Sequence, residues 1–132
     1  MIVYFSATGN SKYAAERIAD ALGDRAVSIE EKCYDITLKE DECFGIVTPT
    51  HWWALPIPMR AFLKKLVLHR RGRHYVFVAS TYGTTVGCSA EETRHLLRDR
   101  GIRLSAAYNI KKPENWTVTF DLSDPDKVAR QN

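Results

Sequence analysis

Short apolar runs alternate along this chain with segments of helical periodicity, and this alternation constrains the fold more than any other feature. Continuous apolar runs such as residues 2–5 and 43–48 are typical of strands buried on both faces. The clearest helical stripe contains Met59, Phe62, Leu63 and Leu66. Strands that alternate with helices predict an α/β fold, with a parallel sheet between two layers of helices.

The pattern places each element in order. Predicted strands cover residues 2–5, 26–29, 43–48, 75–80 and 102–110. The first helix covers residues 11–22, with Ala14, Ile18 and Leu22 on its buried stripe and Gly23 at its end. Ser89 and Glu92 have the spacing of a capping box and are expected to open the last helix, which Gly101 ends. Residues 30–42 are polar and are expected to form a loop with at most one helical turn.

Composition limits the class of protein. At 132 residues, with 45% hydrophobic and 27% charged residues, the chain is expected to be a single domain, residues 1–132. No apolar run approaches the roughly 20 residues of a membrane span, so no membrane association is expected. Three well-separated cysteines and no leader-like N-terminus predict a reduced, cytoplasmic protein without a metal site.

The net charge of +3 is too small to predict nucleic-acid binding. The densest basic run, residues 69–74, is interpreted as a solvated turn between a helix and a strand.

The first loop, residues 6–11, reads SATGNS and lies between the first predicted strand and the first predicted helix. It offers the hydroxyls of Ser6, Thr8 and Ser11, the amide of Asn10 and free backbone N–H groups at a helix N-terminus. Such a turn is suited to bind phosphate. The loop contains no Lys or Arg, so hydrogen bonds and the helix dipole would hold the anion, as suits a phosphate that does not react.

Two further loops leave the carboxyl ends of parallel strands, where open α/β sheets bind ligands. The second loop, residues 49–58, carries Trp52 and Trp53, which a soluble domain seldom exposes without a purpose. The third loop, residues 81–88, combines Tyr82 with Gly83 and Gly87, which allow close approach of the backbone. Together the three loops predict a site for a flat ring on a phosphate stem.

These loops resemble those of the flavodoxins, most of all short flavodoxin-like domains that occur alone or joined to ferredoxin-type modules. SATGNS is similar to the phosphate signature of that family, and THWWALPIP and STYGTTVG are similar to its two flavin loops. The resemblance implies a flavodoxin-like three-layer sandwich with a five-stranded parallel sheet in the order 2-1-3-4-5. It also implies bound FMN and electron transfer with redox partner proteins, such as a reductase or a ferredoxin-type donor or acceptor.

Position by position, the resemblance implies three groups of cofactor-binding residues. The phosphate would be bound by Ser6, Thr8, Gly9, Asn10 and Ser11. One side of the flavin ring would be lined by Thr50, His51, Trp52, Trp53 and Ala54. The other side and its pyrimidine edge would be lined by Thr81, Tyr82, Gly83, Thr84 and Gly87. No catalytic base or nucleophile is expected in a site of this kind.

The chain also departs from the family pattern. It is mildly basic where flavodoxins are usually acidic, and Ala54 stands where related loops often have Gly. A last helix, capped by Ser123 or Asp124, would have at most about two turns before the sequence ends. An apolar strip would then stay exposed beside the first helix, and a homodimer could cover it.

Three functions fit these features. The first is an FMN-dependent electron carrier. The second is an FMN-dependent reductase that passes electrons from NAD(P)H to a quinone or another small acceptor. The third is a binding or regulatory module that has lost the cofactor.

Overall fold

A computed structural model of the chain describes residues 1–113, and its main sheet contains five strands. Seven strands occur in all within these residues: β1 (Ile2–Tyr4), β2 (Ala26–Ser28), β3 (Asp35–Thr37), β4 (Phe44–Pro49), β5 (Val67–His69), β6 (Val76–Tyr82) and β7 (Ala106–Lys111). The α-helices are α1 (Asn10–Leu22), α2 (Ile57–Lys65) and α3 (Ser89–Asp99), and a 3₁₀ turn covers Ile29–Glu31.

The main sheet is parallel throughout, with the order β2-β1-β4-β6-β7. Counted within this sheet alone, its strands follow the order 2-1-3-4-5, so the predicted fold class and strand order are confirmed. Val3 of β1 lies between Val27 of β2 and Ile46 of β4. Because all five strands run the same way, the loops that follow β1, β4 and β6 meet at one edge of the sheet.

Helices cover both faces of the sheet. Helix α1 packs on one face, and α2 and α3 pack on the other, around fully buried residues such as Phe44 and Leu63. Small residues make the contact of α1 with the sheet: Ala14, Ala15 and Ala19 are all buried. The predicted stripe was wrong at Leu22, which is 53% exposed, because the buried face of α1 runs through Ser11, Ala15 and Ala19 and ends there.

The prediction of a loop at residues 30–42 was wrong in part. Strand β3 lies within that segment and pairs in parallel with β5, which forms a second sheet of two short strands. Ile36, at the centre of β3, is buried in the core on the side of α2. A three-residue strand with one buried side chain has too short a pattern to be recognised without its distant partner.

The predicted capping box at the start of α3 is also wrong. Ser89 is already the first helical residue, its side chain is buried, and its hydroxyl lies 3.0 Å from that of Ser80. The carboxylate of Glu92 turns away from the helix start and accepts hydrogen bonds from the backbone N–H of Leu55 and from Arg60. Both side chains of the predicted capping box therefore bond to residues outside α3 and do not cap the helix.

The helix predicted from Ser123 or Asp124 lies outside the described residues. On the face of the sheet that carries α1, Tyr75 and Tyr108 are about half exposed and their hydroxyls lie 2.7 Å apart. The described residues test neither the exposed apolar strip nor its coverage by a second copy of the chain, so both stay predictions. In the part of the chain that the structure describes, every helix is too short or too polar to span a bilayer.

Candidate functional site

A pocket of about 100 Å³ lies where the loops after β1, β4 and β6 meet. It is lined by Ser6, Ala7, Thr8, Asn10, Ser11, Pro49, Thr50, His51, Thr81, Tyr82, Gly83, Lys112 and Pro113. The structure therefore brings together most of the first loop with parts of the second and third. Six other predicted residues do not line it: Gly9, Trp52, Trp53, Ala54, Thr84 and Gly87.

The first loop presents the start of α1 to this pocket. Gly9 has a φ of 99°, which favours glycine, and its N–H donates to the Ser6 hydroxyl at 3.0 Å. The first turn of α1, which lies wholly within the described residues, has neither a side-chain cap nor an acidic residue. The N–H groups and the positive end of the helix dipole are thus available to an anion.

A buried pair of hydroxyls joins the first loop to the third. The Oγ of Ser11 lies 2.7 Å from the Oγ1 of Thr81, and both residues are almost fully buried. Two hydroxyls carry two hydrogens, and the bond between them uses one. The second hydrogen can be donated to a ligand oxygen, so the pair can connect the loops and still contribute a donor to the pocket.

The end of β7 supplies residues that the sequence analysis missed. The side-chain amide of Asn10 donates to the Pro113 carbonyl at 3.2 Å, which ties this segment to the first loop. Lys112 lines the pocket, and its Nζ lies 4.7 Å from the centre of the Tyr13 ring. The expectation of an uncharged site was therefore incomplete. The sequence signal was the pair Lys111-Lys112 at the end of the fifth strand of the sheet, where Lys111 is the last strand residue and Lys112 follows it.

The second loop contains a strained turn, which we call the Trp turn (residues 51–54). His51 and Ala54 exchange two backbone hydrogen bonds of 3.0 Å each. Trp52 and Trp53 between them have φ values of 49° and 61°, in the left-handed region that bulky residues avoid. This conformation costs about 1–2 kcal/mol per residue. Both side chains are exposed, at 74% and 58%, and strained residues of this kind cluster at functional sites.

The third loop holds the Trp turn from one side. The carbonyl of Trp53 accepts hydrogen bonds from the N–H of Cys88 at 2.7 Å and from its thiol at 3.1 Å. A Cβ at Gly87 would lie 2.1 Å from the same carbonyl oxygen. Gly87 was predicted to allow approach to a ligand, but in the structure it allows approach of the Trp53 backbone.

Helix α3 holds Leu55, the residue directly after the Trp turn, through Glu92. Its carboxylate accepts from the Leu55 N–H at 3.0 Å and also binds Arg60 of α2. Burial raises the pKa of Glu92, but the hydrogen bonds from Arg60 and Leu55 outweigh that effect and hold the pKa below its usual 4.5. The carboxylate is therefore ionised near neutral pH.

His51 lies at the rim of the pocket, with its ring edge-on to Phe5 at 6.2 Å between centroids. Partial burial lowers the pKa of His51 below its usual 6.5, so the ring is neutral near pH 7. A neutral imidazole offers one donor and one acceptor and adds no charge to the site.

The residues fit a flat cofactor with a phosphate end. The pocket has the donors that a phosphate needs, but its volume of about 100 Å³ is below the roughly 300–1,000 Å³ of sites that enclose a whole ligand. A ring on the same stem would therefore lie outside the pocket, where Tyr82 and the exposed indoles of the Trp turn offer aromatic surfaces.

Known structures share this fold. The chain is 19% identical to a two-electron reduced flavodoxin from Megasphaera elsdenii, with a TM-score of 0.57 and coverage of 83% of both chains. It is 20% identical to the Flv1 flavodiiron core from Synechocystis sp. PCC6803, with a TM-score of 0.61 over 84% of this chain. Rubredoxin oxygen:oxidoreductase from Desulfovibrio gigas is 12% identical, with a TM-score of 0.59 over 98% of this chain.

The chain spans only 30% of the flavodiiron core and 33% of the rubredoxin oxygen:oxidoreductase. No curated protein is similar enough in sequence to count as a relative. The family model described as a flavodoxin domain matches residues 1–85, which include all three strands whose loops form the site. The chain therefore belongs to the flavodoxin domain family, and FMN is the cofactor that this membership indicates.

Proposed function

We propose that this domain is an electron carrier that exchanges electrons with redox partner proteins through bound FMN. The observation that carries the proposal is the arrangement of the site, in which an anion pocket adjoins a strained turn with two exposed indoles. When bound, FMN supplies the redox chemistry and the protein supplies binding, orientation and electrostatics.

The first loop would bind the phosphate through the N–H groups of α1 and its hydroxyls. The Ser11–Thr81 pair would add one donor while it fixes the distance between the first and third loops. Because these groups are held by the fold before the ligand arrives, little ordering is needed on binding.

The Trp turn and Tyr82 would orient the ring from two sides. The main chain of the Trp turn is anchored by the hydrogen bond of Cys88 to Trp53 and by that of Leu55 to Glu92, so both exposed indoles extend from an anchored backbone. Each aromatic contact would add about 0.5–1.5 kcal/mol beyond the burial of its area. A ring held at such an exposed edge would be accessible to another protein, as a carrier requires.

The runner-up is an FMN-dependent reductase that oxidises NAD(P)H itself and passes electrons to a quinone or another small acceptor. Both functions need the same flavin site. The reductase also needs a place for nicotinamide over the ring, and no dedicated motif for it occurs in the sequence. The identity of the redox partner and a cytoplasmic location stay predictions.

The test starts with FMN binding. Purified protein is titrated with FMN while tryptophan fluorescence and the melting temperature are recorded. The proposal expects quenching, a higher melting temperature and flavin absorption that survives desalting. No response in either measurement would support the third function, a module without cofactor, and would overturn the proposal.

The second step separates carrier from reductase. The FMN-loaded protein is mixed under anaerobic conditions with NADPH alone, and then with NADPH and a flavodoxin reductase. Bleaching of the flavin absorption only in the second mixture supports the carrier. Steady oxidation of NADPH by the protein alone, with a quinone as acceptor, would favour the reductase instead.

A further inference from the structure

We infer that Lys112 is a charged ligand of the cofactor phosphate, and that it makes this domain select the phosphorylated flavin over riboflavin. The inference rests on the proposed function and deepens it, because it assigns a specificity-determining residue to the same site. Lys112 lies directly after β7, outside the three loops of residues 6–11, 49–58 and 81–88.

The position of Lys112 carries the inference. Its backbone N–H donates to the Tyr82 carbonyl at 2.8 Å, directly after the last residue of β7, so the main chain is fixed beside the third loop. The hydrogen bond from Asn10 to Pro113 fixes the next residue against the first loop. Lys112 is thus held on both sides between the segments that form the pocket, and it lines that pocket itself.

The charge of Lys112 is not taken up by an acidic partner within residues 1–113. Its ammonium group lies over the ring of Tyr13, and no ion pair to a described carboxylate occurs. Lys12, in the first turn of α1, differs in both respects, since it pairs with Glu16 at 3.8 Å and does not line the pocket. Within residues 1–113, Lys112 is therefore the cation that lines the pocket without an acidic partner.

Tyr13 explains how this cation is kept near the pocket before a ligand binds. Tyr13 lies in the first turn of α1, two residues after the first loop, and its ring is exposed with the Lys112 ammonium 4.7 Å from its centre. A cation over an aromatic face is attracted by the ring quadrupole, but less strongly than by a phosphate dianion. The ammonium can therefore exchange the ring for a phosphate oxygen, or contact both.

The decisive experiment compares FMN with riboflavin, which lacks the phosphate. Binding of each flavin is measured by tryptophan quenching and by calorimetry for the wild type, Lys112→Gln and the matched control Lys12→Gln. We expect Lys112→Gln to weaken FMN binding about tenfold or more and to leave riboflavin binding unchanged, because a charge-assisted hydrogen bond to the phosphate is lost. Lys12→Gln removes an equal charge from the first turn of α1, close to the pocket, and should change neither affinity by more than about twofold.

Two further readouts test the charge itself. The affinity of the wild type for FMN should fall as salt is added, and that dependence should be smaller in Lys112→Gln. Lys112→Arg keeps the charge and should restore most of the affinity. Tyr13→Leu should weaken FMN binding only a few fold, because Lys112 then loses its contact with the Tyr13 ring but keeps its charge.

The possible results separate this inference from the proposed function. If the wild type binds neither flavin, the proposed function fails and the inference falls with it. If the wild type binds FMN and Lys112→Gln binds it equally well, only the inference is overturned. Equal weakening of both flavins in Lys112→Gln would also overturn it, because the lysine would then act on the shape of the site and not on the phosphate.

Discussion

Gly87 lies directly against the main chain of Trp53, so close that a Cβ at position 87 would be 2.1 Å from the Trp53 carbonyl oxygen. The third loop and the Trp turn can approach one another this closely only because position 87 has no side chain. The same contact lets the N–H of Cys88 reach the Trp53 carbonyl at 2.7 Å.

Replacement of Gly87 by Ala should separate these two loops. Gly72→Ala is the matched control, because Gly72 also has a positive φ, 73°, but a Cβ there would meet nothing within 4 Å. Both variants bear the cost of a left-handed alanine, and only Gly87→Ala adds overpacking of about 1–3 kcal/mol. Urea unfolding should show the larger loss for Gly87→Ala, and FMN titration should show weaker binding in that variant alone. Equal losses in the two variants would contradict this account of the contact.

Replacement of Trp53 by Gly should stabilise the folded protein and weaken FMN binding. Glycine adopts the φ of 61° without strain, so the free energy of unfolding should rise by about 0.5–1 kcal/mol after the entropic cost of glycine is subtracted. FMN binding should weaken about tenfold, because an aromatic surface is lost. Trp53→Phe keeps both the strain and an aromatic ring, and should resemble the wild type in both measurements. A glycine variant that is less stable than the wild type would show that the turn is not strained.

The buried hydroxyls of Ser11 and Thr81 should be strongly coupled. Either Ser11→Ala or Thr81→Val leaves the other hydroxyl buried without its partner, at a cost of about 1–3 kcal/mol. The double variant removes both polar groups and should lose less than the sum of the two single losses. Chemical denaturation of the four proteins, without FMN, measures this difference. Strictly additive losses would mean that the hydroxyls do not bond to each other.

Glu92 should make stability depend on pH in the acid range. Its pKa is below 4.5 in the folded protein, so the unfolded chain binds the proton more readily, and stability rises with pH through this window. The contribution of Glu92 is complete above the unfolded value of 4.5 and is lost as the pH falls through the lower folded value. The stability difference between the wild type and Glu92→Gln should therefore be larger at about pH 7 than at about pH 3. A difference that does not change with pH would show that ionised Glu92 does not hold the Leu55 segment.

Tyr75 and Tyr108 are exposed on the face of the sheet that carries α1, and this exposure leads to a prediction about dimer formation. If a second copy covers Tyr75 and Tyr108, light scattering should give the mass of a dimer. Tyr108→Glu should then give a monomer that still binds FMN, because neither Tyr75 nor Tyr108 lines the pocket. Tyr13→Glu places the same charge on another exposed tyrosine of the chain and should leave the dimer intact. If the wild type is a monomer at all concentrations, the prediction of a homodimer is wrong.

The sequence predicted the main sheet well because its central strands are continuous apolar runs. The segment Phe44–Pro49, predicted as 43–48, shows how closely such a run marks a buried strand. Strand β3 was missed because Ile36 becomes buried only when its segment pairs with Val67–His69, about thirty residues further on. Glu92 was misassigned for a similar reason, since Leu55 and Arg60 compete with the local helix end for its carboxylate.

For the site, the sequence identified the loops but not the details of their contacts. Local chemistry identified Ser6 and Thr8, which lie in the loop that meets the pocket. The same reasoning assigned Gly87 to the ligand, whereas its neighbour is the Trp53 backbone. It passed over Lys112, because only the register of β7 against β6 brings that residue to the first loop. Contacts between loops depend on the sheet as a whole, and a pattern read along the chain does not contain them.

The alanines on the inner face of α1 have a consequence that reaches beyond packing. Because Ala14, Ala15 and Ala19 are buried, α1 packs on the sheet through small side chains, and its first residues, Asn10 and Ser11, line the pocket. A bulkier residue at Ala15 would lift the whole helix and draw the amides at its start out of reach. An interior change far from any ligand would then be recorded in a screen as a defect in recognition, although every group that touches the ligand is intact.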